Sequence, residues 1–106
     1  MDALELYTRM FNHECPAWTK NREYNLMFLL QQQNYFNELL KVRGKVYLSD
    51  VYEQLGFPMD QVSRSVGWRY YEGNVLGDNY IDFGMFEREI GGDYDILLNF
   101  NVDGII

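Results

Sequence analysis

No glycine occurs before Gly44, which is the first of nine. Glycine and proline are the strongest punctuators of regular structure. Neither occurs over 20–43, and Gly44 stands where a C-terminal cap belongs, so the spacing predicts a long helix there. At the helical step Tyr24, Phe28, Tyr35, Leu39 and Val42 share one face, while Leu26, Leu29, Leu30, Phe36 and Leu40 line an adjoining one. The polar strip of Glu23, Asn34, Glu38 and Lys41 is narrow. A helix apolar over most of its circumference is expected at the centre of a fold.

Residues 3–12 read as a short first helix, with Leu4, Tyr7 and Phe11 at helical spacing, stopped before Pro16. Lys45 to Leu48 reads as extended. Asp50 is placed to cap a following helix, with Glu53 in capping-box position and Gly56 at its end. A third helical piece is expected from Asp60 to Val66, ended by Gly67. From Trp68 the pattern turns to strands: Trp68 to Tyr71, Tyr80 to Phe86 and Ile96 to Val102. Turn chemistry separates them, at Glu72-Gly73-Asn74, Gly77-Asp78-Asn79 and Gly91-Gly92-Asp93. In the last strand Leu98, Phe100 and Val102 alternate with Asn99, Asn101 and Asp103, which gives one buried and one wet face.

With 106 residues the chain makes one domain, 1–106, helical over about 1–67 and strand-rich over about 68–106. The expected fold class is α+β: N-terminal helices around one central helix, then a small antiparallel sheet of about three to four strands. The order within 45–86 is that of a winged helix.

The net charge of −7 is confined to one end. Residues 1–71 hold eight acids and eight bases, whereas residues 72–106 hold eight acids and the single base Arg88. Phosphate neutralisation needs Lys and Arg, so direct nucleic-acid binding is not expected. In the winged-helix reading only Arg64 is basic on the reading helix. One cysteine, Cys15, excludes an internal disulfide and fits a reducing compartment. The start, Met-Asp-Ala-Leu-Glu, is no secretory signal, and the longest apolar run, Leu26 to Leu30, is far short of the ~20 residues of a spanning helix. A cytoplasmic protein with no membrane role is expected.

Catalytic chemistry has little support. His13 and Cys15 lie two residues apart, and a nucleophile pair needs both side chains converging with an orienting group. Zinc wants four such ligands and the chain offers two. Asn99 to Gly104 resembles the opening of a calcium loop, but the chain ends two residues after Gly104, before the required Glu. The late carboxylates read as solvated turn and strand residues. No enzyme activity, cofactor or metal is expected. The better candidates are Tyr70, Tyr71, Tyr80 and Tyr94 among Asp78, Asp82, Glu87 and Glu89, because tyrosines beyond what a small core needs belong to protein-binding surfaces.

Gly44–Leu55, Val66-Gly67-Trp68, Gly77-Asp78-Asn79-Tyr80-Ile81-Asp82-Phe83-Gly84 and Ile96 to Gly104 also resemble the C-terminal domain of an uncharacterised family encoded by phages and prophages of Gram-positive bacteria. The resemblance covers about residues 35–104 and implies a mobile-element origin. Longer members carry an N-terminal membrane-directed segment, and residues 1–43 show none. No activity, cofactor or catalytic residue comes with it.

The expected function is that of a small accessory protein in the bacterial cytoplasm. It binds a protein partner through its acidic, Tyr-rich C-terminal surface, a face suited to occupying the nucleic-acid channel of a host protein. The alternatives are a self-assembling phage subunit pairing through its apolar C-terminal strand, which makes it a homo-oligomer, and a winged-helix regulator.

Overall fold

In the computed structural model the chain is described over residues 7–75, 77–90 and 92–106, with Ile90 described by its backbone alone. Helix α1 runs Arg22–Arg43, as the glycine-free stretch predicts. The Asn21 side chain accepts the Tyr24 N–H at 3.0 Å, and Gly44 closes the helix at φ 82° with its N–H on the Leu40 carbonyl. Its buried residues are Asn25, Leu29, Phe36 and Leu40. Tyr24, Tyr35 and Val42 are 52%, 55% and 83% exposed, so the helix is covered along one stripe and not all round.

The expected first helix is a strand. Residues 3–6 lie outside the described residues, but β1, Thr8–Phe11, pairs antiparallel with the chain's far end, Thr8 opposite Asn99 and Phe11 opposite Ile96. The three-residue spacing of its apolar side chains matches a helix, but distant pairing overrides local preference. Strand β2, Lys45–Tyr47, leads directly into α2, Leu48–Leu55. The N-cap is Tyr47 rather than Asp50, and Asp50 rather than Glu53 takes the capping-box position: its carboxylate accepts the Tyr47 N–H at 3.2 Å.

The third helix is absent, for residues 61–65 form turns. Asp60 Oδ1 accepts the Ser63 N–H at 2.7 Å and Ser63 Oγ accepts the Asp60 N–H at 3.0 Å, a local exchange that satisfies the backbone without a helix. The recognition helix that the winged-helix order places at these residues is a run of turns instead. Strand β3, Val66–Arg69, is next. Residues 80–85 form no strand, and β4 begins at Phe86 and runs to Ile90. Strand β5 is Asp93–Asn99, and Ile90 pairs with Asp93 across the expected hairpin, whose Gly91 lies outside the described residues. The predicted last strand stops at Asn99. The chain crosses through Phe100 and re-enters a sheet as β6, Gly104–Ile105.

The fold is α+β, with two three-stranded antiparallel sheets, ordered β1-β5-β4 and β2-β3-β6. Because β5 and β6 are joined through residues 100–103, the C-terminal segment ties the two sheets together. Their shared core includes Phe11, Phe36, Tyr52, Trp68 and Phe83, all at most 2% exposed. At the crossing, Phe100 meets Phe83 at 5.3 Å and Tyr52 at 5.8 Å between ring centroids. Among the described residues no helix is long and apolar enough to cross a membrane.

Candidate functional site

Asparagine and glutamine side chains carry a donor and an acceptor on one plane, so they can imitate a neighbouring strand. The chain uses them in this way around residues 78–83. Asn37 on α1 grips Ile81 from both sides: its Oδ1 accepts the Ile81 N–H at 2.8 Å and its Nδ2 donates to the Ile81 carbonyl at 2.9 Å. One helical turn earlier, Gln33 Oε1 accepts the Phe83 N–H at 2.9 Å. Between them, Asn101 Oδ1 accepts the Asp82 N–H at 2.7 Å. The segment therefore draws most of its partners from side chains, with one backbone bond, from the Asn101 N–H to the Asp82 carbonyl at 3.2 Å. Its alternation survives, with Ile81 and Phe83 buried and Tyr80 and Asp82 exposed.

Asn101 also holds the flank of this segment. Its Nδ2 donates to Asp78 Oδ2 at 3.2 Å and to the Tyr80 carbonyl at 3.1 Å. Asn79, at φ 60°, accepts the Tyr71 N–H and returns a hydrogen bond to the Tyr71 carbonyl. Residues 71, 78, 80 and 82 are thus fixed in one surface region. The Tyr70 N–H is bonded to the Gly44 carbonyl at 2.9 Å beside it.

The other three predicted contact residues form a separate group on the β4–β5 hairpin. Glu89 faces Tyr94 across the ladder. Glu87 is ion-paired with Arg22, whose guanidinium lies 5.2 Å from the centroid of the Tyr94 ring. That carboxylate holds the Arg22 guanidinium protonated above its ordinary range, first through the hydrogen bond and then through its charge. Glu87 is therefore a partnered acid.

The glycines of the motif are architectural. A Cβ at Gly77 would overlap the Asp103 carboxylate, and one at Gly84, at φ 59°, would overlap the Asn99 carbonyl oxygen. Burial pushes the Asp103 carboxyl up, and the charge of Asp78 adds to the effect. Asp103 Oδ2 accepts the Arg69 N–H at 2.9 Å, while its Oδ1 is buried without a hydrogen bond. The side chains of Asn99, Asn101 and Asp103 serve different backbone and side-chain partners, and among the described residues no group of three or more His, Cys, Asp or Glu is placed to hold a metal. Cys15 is buried and its thiol is pushed up chiefly by that burial, whereas His13 is exposed, so the two are not brought together.

A cleft of about 470 Å³ opens between residues 33–41 of α1 and residues 79–82. Its walls include Asn34, Glu38 and Lys41 on the helix and Tyr80 and Asp82 on the loop. Sequence reading identified the loop side and missed the helix side. The available signal was Gln33 and Asn37, amides one turn apart on the helix, and Asn101 within an alternating strand.

A family model described as a family of unknown function (DUF6353) matches residues 2–106. No match is found among curated proteins or among solved structures.

Proposed function

The chain belongs to this family of unknown function, and from that premise we propose that it acts by binding a protein partner through the face that carries Tyr71, Asp78, Tyr80 and Asp82. One observation carries the reading. Tyr80 is 49% exposed on a segment whose backbone is fixed from three sides by Asn37, Gln33 and Asn101. A rigidly presented aromatic among acids loses little entropy on association, which is how interface anchors gain affinity. The excess of acids in residues 72–106 supports a basic surface on the partner and fast, salt-dependent association. Tyr70 and the hairpin residues Glu87, Glu89 and Tyr94 would extend the contact. The work is binding without catalysis, in the cytoplasm of a bacterium. The motifs Gly77–Gly84 and Ile96–Gly104 support a phage or prophage accessory role, with a host nucleic-acid-binding protein as target.

The test is capture from bacterial lysate at low and high salt, with the wild-type chain beside one in which Asp78, Asp82, Glu87 and Glu89 are made neutral. A partner held by wild type, released by salt and lost by the variant supports the reading. A partner held equally by both chains, or insensitive to salt, overturns it.

A second reading is self-assembly by edge pairing. Phe86 on β4 and Ile105 on β6 are 64% and 86% exposed, and both strands stand at sheet edges. Light scattering decides it, since a monomer at high concentration removes it.

A further inference from the structure

We propose that the cleft between α1 and residues 79–82 is a recess for an arginine side chain of the protein partner, an inference that rests on the protein-binding reading above. The argument starts from what the recess offers. Glu38 and Asp82 stand on opposite walls, and both side chains are exposed. Tyr80 presents an exposed ring at the same opening. Asn34 is exposed on the helix wall and brings a further carbonyl oxygen. A guanidinium has five N–H donors, no acceptor and a flat face. It therefore needs carboxylate and carbonyl oxygens at its edge and an aromatic ring against its plane, and this recess supplies both. At about 470 Å³ the recess falls within the range of ligand sites, roughly 300–1,000 Å³.

The recess already contains a cation. Lys41 Nζ lies 3.6 Å from Glu38 Oε1, one turn along the helix. An exposed ion pair of this kind is weak, worth about 0–1 kcal/mol in general, so an incoming guanidinium can displace it. Lys41 then acts as a built-in competitor, and its removal should strengthen binding. A purely structural role for the cleft residues makes no such prediction, and neither does a neutral ligand.

The test is NMR titration of the full chain with a capped Gly-Gly-Arg-Gly-Gly peptide, beside the same peptide with citrulline or lysine in place of arginine. The expected result is saturable shifts confined to Asn34, Glu38, Lys41, Tyr80 and Asp82, weaker with lysine and lost with citrulline, which keeps the shape without the charge. The Lys41→Met chain should bind the arginine peptide about two- to fivefold more tightly, and Asp82→Asn or Glu38→Gln more weakly by a similar factor, as expected for single exposed charges. Thermal unfolding of each variant checks that it remains folded.

Equal binding of arginine and citrulline peptides, shifts centred elsewhere, or no shift at ~10 mM peptide overturns the proposal, as does unchanged affinity in Lys41→Met. The two readings fail separately. A lysate partner that is lost on Tyr71→Ala with Asp78→Asn but held unchanged by Glu38→Gln and by Lys41→Met removes the arginine recess and leaves the binding surface in place. Specific arginine-peptide binding with no salt-sensitive partner does the reverse.

Discussion

Trp68 donates its indole N–H to the Asn101 side-chain oxygen at 2.9 Å. The ring is fully buried on β3, and Asn101 lies on the crossing between β5 and β6, so this bond connects the core of one sheet to the link between both. The same oxygen receives the Asp82 N–H, and the amide nitrogen reaches Asp78 and Tyr80. One side chain thereby couples the packed interior to the exposed candidate surface.

Asn101→Ala should destabilise the domain by about 2 kcal/mol, since several modest hydrogen bonds are lost and only part of the network is open to water. The Trp68 indole retains the Asn101 backbone carbonyl at 3.1 Å, which limits the loss. Urea unfolding measures the change, and amide exchange should rise first at residues 80–82.

Asn37→Leu should cost about 2–3 kcal/mol, because it orphans both the N–H and the carbonyl of Ile81. Asn37→Asp keeps the acceptor and loses the donor, setting a carboxylate against the Ile81 carbonyl oxygen. Its defect should therefore be smaller at pH 4 than at pH 7, as denaturant midpoints at the two pH values will show.

Gly77→Ala should destabilise by about 1–3 kcal/mol through overpacking against the Asp103 carboxylate. Adding Asp103→Ala removes the obstacle, so the double variant should lose less than the sum of the two singles. A double-mutant cycle reads that coupling directly.

Asp103 and Asp60 should pull the acid limb of the stability curve in opposite directions. Burial raises the Asp103 carboxyl, so the folded state holds its proton more tightly than the unfolded chain. Its contribution therefore grows as pH falls through the raised value toward the ordinary ~3.9 and is lost as pH rises again. The Ser63 backbone N–H holds the Asp60 carboxyl below its ordinary value, so its stabilisation is present above ~3.9 and lost as pH falls through the lowered one. Asp103→Asn should remove the first component and leave the second, which thermal unfolding across pH 3–7 would resolve by its change of slope.

The sequence by itself determined the long helix and its end at Gly44, because a stretch free of glycine and proline and a residue suited to φ 82° are local properties. It also determined that Ile81 and Phe83 face inward while Tyr80 and Asp82 face outward, since extended chain alternates whatever supplies its hydrogen bonds. Tertiary structure decided that Thr8–Phe11 is a strand, because its partner, Ile96–Asn99, lies at the far end of the chain. It decided that residues 80–85 have no ladder, because amides from Gln33, Asn37 and Asn101 take the place of a strand. It also decided that the candidate surface has a helix wall, with Glu38 and Lys41 facing Tyr80 and Asp82 across a cleft. Which side chains meet across such distances depends on how the sheets and helices stack, and that is set by burial of the whole core rather than by any local spacing.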